Sequence, residues 1–155
     1  MNTRDMGRIF SIVRNCDAIE RRLTRFHINE ETWFADELLR DTVSCPLLRI
    51  GSVVPRIAPE VRAEFPTVDW RAFVELGGLL AAGCDQDGIG KVWKAVSEDV
   101  PRLREELLEH KDAAEFSDRQ VKLIEAKADQ PEEDIETFLH RHKTLDDLGL
   151  SEDKK

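Results

Sequence analysis

Tyrosine is absent from the 155 residues, and with it any phenolic acid, base or acceptor hydroxyl. No stretch alternates apolar and polar residues with the period of a half-buried strand, which argues against a sheet. No apolar run reaches the roughly 18 residues of a membrane span. The three cysteines, Cys16, Cys45 and Cys84, are an odd number without metal-ligand spacing. They give no disulfide framework and no zinc site, and point to free thiols in a reducing, cytoplasmic setting. An excess of positive charge is also missing. The formal net charge is −9, which disfavours non-specific attraction to nucleic-acid phosphates and leaves RNA only a local groove. The first residues run into an amphipathic pattern, so no secretory signal is expected.

What is present suits a helical domain with a real core: 41% of residues are hydrophobic and 35% are charged. The acidity is uneven. Residues 111–155 hold 13 acidic and 8 basic residues, a net of −5, and the first 110 supply the other −4. The expected organisation is therefore a helical domain over 1–110 and an acidic helical extension over 111–155.

Helical spacing runs through most of the chain. Met6, Ile9, Ile12, Val13, Cys16, Ile19 and Leu23 form one apolar stripe, with Arg4, Asp5, Arg8, Arg14, Asp17, Glu20 and Arg21 on a solvated face. Asn29 can cap a second, long helix in which Pro46 and Pro55 each predict a kink or break. Gly51 is small enough to let another helix approach closely. Pro59 suits the first turn of a short helix, and Thr67 or Asp69 can cap the next. The residues from Trp70 to Ala82 predict a buried helix stopped at Gly83, where positive φ favours glycine. A polar turn, Asp85 to Gly88, leads to a helix resuming near Ile89, and Pro101 marks a new first turn or a kink. Phe116 to Ile124, and Ile135 to Leu150, suit two short amphipathic helices, and Ser151–Lys155 should fray.

Several motifs imitate chemistry and fail on a specific residue. Gly90-Lys91 would need glycine at 85 and Ser or Thr at 92 for a phosphate loop, where Asp85 and Val92 stand. Asp85-x-Asp87 with Gly90 mimics a calcium loop, but Ile89 and Val96 occupy ligand places. His140 and His142 are two apart and face different ways on a helix, and His27 has no second ligand at helical spacing. Cys84 has Asp85 and Asp87 beside it, which raise rather than lower a thiol pKa. Asp85 and Asp87 read as solvated turn formers rather than an acid–base pair. No metal and no cofactor is expected.

Taken together, Arg4-Asp5-x-x-Arg8, Phe34 with Asp36-Glu-Leu-Leu39, Asp41-x-Val43 with Leu47, Ile50 and Gly51, Pro59-Glu-Val-Arg62, Phe65-Pro66, Trp70-Arg71-x-Phe73, Val92-Trp93 and Glu98-Asp99-Val100-Pro101 resemble a known pattern. Residues 4 to about 109 resemble the HepT-like branch of the HEPN domains, helical-bundle ribonuclease toxins. The resemblance implies an all-α, up-and-down bundle of four to five helices, here followed by short C-terminal helices. Its active-site motif lays over Trp70–Trp93 without a gap. The Arg position falls on Gly77, the Asn position on Gly78, the His position on Ala82 and the Tyr position on Cys84. In the family the Arg would hold the scissile phosphate and the His would act as general acid or base on the 2′-OH. The Tyr is the residue that an MntA-type nucleotidyltransferase partner modifies with AMP.

Glycine and alanine can neither bind phosphate by side chain nor carry a proton. General acid–base catalysis alone is worth about 10²–10⁴-fold, so no catalytic residue is assigned at this motif. The leading expectation is a degenerate HepT-like component of toxin–antitoxin type, a homodimer through the motif face, pairing with a nucleotidyltransferase-type partner. The Gly77-Gly78 pair costs about 1 kcal/mol per residue in a helix interior, which close helix packing across a dimer axis would offset. One alternative is an active RNA endonuclease drawing its groups from Arg71, Glu75, Lys91 and Asp85, all at the wrong helical phase for the motif. Another is a structural or regulatory dimer whose acidic tail makes the contacts.

Overall fold

The N-terminal apolar stripe forms a single helix. In the computed structural model, which describes residues 1–128, α1 spans Thr3–Arg25. Asn2 caps it, its side chain accepting from the Asp5 amide at 2.9 Å. Ile9, Ile12, Val13, Cys16 and Ile19 are buried along one side, as their spacing requires. Asp5 departs from the expected solvated face: it is only 2% exposed. Its carboxylate is held by Arg8 at 2.7 Å and Asn2 at 2.6 Å, and lies 3.4 Å from the Ala58 amide. The Arg4-Asp5-x-x-Arg8 opening thus fastens the start of α1 to the segment after α3.

The second helical region breaks at Asp36 as well as at the second of its two prolines. α2 is short, Glu30–Ala35, and Asn29 and Thr32 close a reciprocal capping box at its start. Asp36 then takes an extended conformation (φ −126°, ψ 112°), ends α2 and caps α3, Glu37–Val53, by accepting from the Leu38 amide at 2.8 Å. Pro46 lies inside α3 without breaking it. A proline there leaves the carbonyl one turn back, that of Thr42, without its helical donor. Arg22 of α1 supplies one, donating its guanidinium N–H to the Thr42 carbonyl. Pro55 does mark an end: Val54–Arg56 is a 3₁₀ turn that terminates the helix.

Pro59 opens the short α4, Pro59–Ala63, at its first position. α5 is Trp70–Ala82, capped by Asp69, which accepts from the Ala72 amide at 3.1 Å. Gly83 ends it at φ 89°, the left-handed geometry that favours glycine. α6, Gln86–Lys94, begins earlier than expected, because Asp85 caps it and accepts from the Gly88 amide at 2.8 Å. The expected polar turn is therefore a cap and a first helical turn. Ala95–Asp99 winds as a π-helix and runs directly into α7, Val100–Glu109, with Pro101 in its first turn as expected. The looser winding bonds the Val100 amide to Ala95, five residues back, just before the proline that has no amide proton. α8, Lys111–Ala128, is a long helix rather than a short one.

All regular structure among the described residues is helical. α3 lies between α1 and α5, and α7 packs on α1. The contacts Arg22–Thr42 and Asp5–Ala58 run α1 and α3 antiparallel. Arg104 of α7 reaches Asp17 of α1 at 2.6 Å. Ile12, Val43, Leu47, Ile50 and Leu107 are fully buried in the core. The chain divides into two compact units, Met1–Arg119 and Gln120–Lys155. The expectations for Ile135–Leu150, for His140 and His142, and for the Ser151–Lys155 end lie outside the described residues. None of the described helices is long and apolar enough to cross a membrane.

Candidate functional site

The segment that carries the motif positions is pinned at its N-terminal end by aromatics. The Trp70 indole donates to the Arg62 carbonyl at 3.1 Å, and its ring meets Phe65 edge-on at 6.0 Å. Phe65, Trp70 and Phe73 are buried, which accounts for their place in the sequence pattern without any chemistry.

At Gly77 α5 crosses α3 backbone to backbone. A Cβ built on Gly51 would lie 2.6 Å from the Phe73 carbonyl oxygen and 2.9 Å from the Gly77 Cα. A Cβ on Gly77 would lie 3.2 Å from the Gly51 Cα. The close approach expected at Gly51 is present. The offset expected from a dimer axis is, for Gly77, provided inside the chain by α3. Gly77 is buried at this crossing, so the position that the resemblance would give to an Arg is a packing position here.

The four motif positions diverge. Gly78 has open space around its Cα, and Ala82, one turn on, is exposed on the same side of α5. Cys84 sits beyond the helix end, half-buried, its Sγ 3.9 Å from the Leu79 carbonyl. Burial, and then the charge of Asp85, push its thiol pKa up, away from a reactive thiolate. No side chain at Gly77, Gly78 or Ala82 can hold a phosphate or a proton.

The other candidates fare no better as a constellation. Arg71 is paired with Glu75 at 2.7 Å on the exposed side of α5. Asp85 is engaged as the α6 cap. Glu75 and Lys91 do share a groove of about 400 Å³ between α5 and α6, with an apolar floor of Leu76, Leu79 and Ala95. Asp85 is not among its lining residues, so the four are not brought together. His27 is exposed in the α1–α2 turn at φ 51°. Among the described residues no three His, Cys, Asp or Glu side chains are grouped to hold a metal.

A cleft beside the motif was not legible in the chain. It measures about 230 Å³ and is lined by Trp33, Arg40, Asp41, Ser44, Leu80 and Cys84, among others. Its polar groups are largely engaged in structure. Arg40 donates to the Trp33 carbonyl at 2.7 Å and the Phe34 carbonyl at 3.3 Å, and Ser44 donates to the Arg40 carbonyl at 2.9 Å. The Trp33 indole donates to the Ile89 carbonyl at 3.2 Å and its ring lies 5.5 Å from that of Trp93. These residues tie α2 to α3 and α6, a use that their sequence separation concealed.

Comparison with known proteins adds one partial relative. Over 79 residues the chain is 28% identical to a gamma-glutamylcyclotransferase and putative RNase of Methanocaldococcus jannaschii. The match covers 51% of this chain and 36% of that protein, so the similarity spans about a third of the relative's length. No family model matches the chain. No solved structure matches it either.

Proposed function

We propose that this chain is a HepT-like HEPN protein of toxin–antitoxin type whose ribonuclease centre is lost. It serves as a dimeric binding component that pairs with a nucleotidyltransferase-type partner. The observation that carries the reading is the state of the motif. The position for a phosphate-binding Arg is Gly77, buried against Gly51, and the position for the acid–base His is Ala82, an exposed methyl. The all-helical fold and the partial similarity to a protein named as a putative RNase support a ribonuclease-type scaffold. The outer strip of α5 supports self-association there. Val74, Gly78, Ala81 and Ala82 are exposed and uncharged, and the carbonyl of exposed Leu48 on α3 lies 3.8 Å from a Cβ built on Gly77.

The test is RNA cleavage by the full chain, beside an Ala82→His variant whose fold is checked by circular dichroism. Wild type should leave single-stranded RNA intact. Cleavage by wild type would show that catalytic groups lie outside the motif and would end the degenerate reading. Binding is tested by titrating the protein with a purified MntA-type nucleotidyltransferase and ATP. A stable complex should form without transfer of AMP, since the chain has no tyrosine to accept it.

A further inference from the structure

We propose that the end of the bundle where α1 finishes and α3 begins is a two-fold docking surface for a second copy of this chain. It is distinct from the α5 strip. Leu38 is 75% exposed, and Phe26 and Phe34 are 44% and 45% exposed. Leu38 stands in the first turn of α3, its amide tied to the Asp36 carboxylate at the break between α2 and α3. Arg22 fastens α1 to Thr42 of α3. Phe26 lies one turn beyond Arg22 and Leu38 one turn before Thr42, on helices that run antiparallel. The two side chains therefore flank each other at the same end. Arg40 holds the last turn of α2, through the Trp33 and Phe34 carbonyls, against the start of α3.

Among the exposed charges around this apolar end, α1 contributes basic residues, while α2 and the start of α3 contribute acidic ones, Glu30, Glu31 and Asp36 among them. On the α1 side Arg21 and Arg25 are exposed, the latter with its guanidinium 5.6 Å from the Phe26 ring centroid. On the α3 side Glu37 and Asp41 are exposed. Among the described residues, none of Arg21, Arg25, Glu37 and Asp41 takes part in an ion pair. A surface with an apolar centre, one basic half and one acidic half is complementary to itself after a two-fold rotation. Each basic half then meets the acidic half of the other copy. A nucleic acid would be repelled by Glu37 and Asp41, and a uniformly acidic or basic protein would match only one half.

Sedimentation velocity of the full chain over a concentration series tests this. Wild type should associate reversibly, and Leu38→Asp should weaken that association at least about tenfold. Reversing either half, with Arg21→Glu and Arg25→Glu or with Glu37→Lys and Asp41→Lys, should weaken it comparably. Mixing the two reversed proteins in equal amounts should restore association, because each then offers the half that the other needs. Gly78→Arg, on the α5 strip, should leave this contact in place. The proposal falls if wild type stays monomeric, if Leu38→Asp associates as wild type does, or if the mixture does not recover. If Gly78→Arg alone abolishes association, the motif face is the only dimer contact, and this proposal fails while the α5 reading stands.

Discussion

The Gly51–Gly77 crossing permits a prediction in which one chemical change, glycine to alanine, has different signs at three positions. In Gly51→Ala the new methyl starts 2.6 Å from the Phe73 carbonyl oxygen and 2.9 Å from the Gly77 Cα. Ordinary carbon–oxygen contacts of this kind lie at about 3.3–3.6 Å, so the helices must part by about 0.7 Å or more. Both obstacles are backbone, and no rotamer change relieves them. Overpacking costs about 1–3 kcal/mol, and a rigid obstacle puts this site near 3. Replacing a mid-helix glycine returns about 1 kcal/mol. The net loss is about 2 kcal/mol, a fall in melting temperature of about 4–8 °C for a chain of this size. Gly77→Ala meets the Gly51 Cα at 3.2 Å and needs a shift of a few tenths of an ångström, so its two effects nearly cancel. Gly78→Ala meets nothing and should stabilise by about 0.5–1 kcal/mol. Thermal melts and urea titrations followed at 222 nm read all three. A Gly51→Ala protein as stable as wild type, or a Gly78→Ala loss of similar size, would refute the assigned contact.

Other outcomes follow from single contacts. Removing the donor in Arg22→Ala strands the Thr42 carbonyl and should cost about 1–3 kcal/mol. In a Pro46→Ala background the new backbone amide at position 46 can donate to that carbonyl, so the loss should shrink; equal losses in both backgrounds would dismiss the coupling. The Asp5 carboxyl is held below the usual carboxylate range, chiefly by its hydrogen bond from Arg8, against the opposing effect of burial. A depressed folded-state pKa contributes stability above the unfolded value, about 3.9, and loses it as pH falls through the folded value. Asp5→Asn should therefore lower the urea midpoint at neutral pH and flatten its decline below about pH 4, and a parallel decline in both proteins would contradict this. Burial pushes the Cys16 thiol up to about 12 and raises that of Cys84, while Cys45 is exposed. A disulfide reagent at mildly alkaline pH should label Cys45 first, Cys84 slowly and Cys16 only in denaturant, as mass spectrometry would show.

Much of the helical architecture is written in local signals. The α1 stripe, the Asn29 and Asp69 caps, Pro59 in a first turn and Gly83 at a positive φ each depend on neighbours within a turn or two, so the chain alone determines them. The absence of side-chain chemistry at Gly77, Gly78 and Ala82 is likewise a property of the residues themselves. Tertiary structure decided the rest. Pro46 stays inside α3 because Arg22, far away in the chain, supplies a donor to Thr42, and the break moves to Asp36. Asp5 leaves the solvated face because Arg8 and the amide after α3 receive it. Gly77 is a packing residue only because Gly51 faces it across the crossing. The residue's own preference ranges from about 1 kcal/mol for a glycine in a helix interior to about 3 kcal/mol for a proline there. A partner brought up by folding is worth a comparable amount, and it decides which use of the residue prevails.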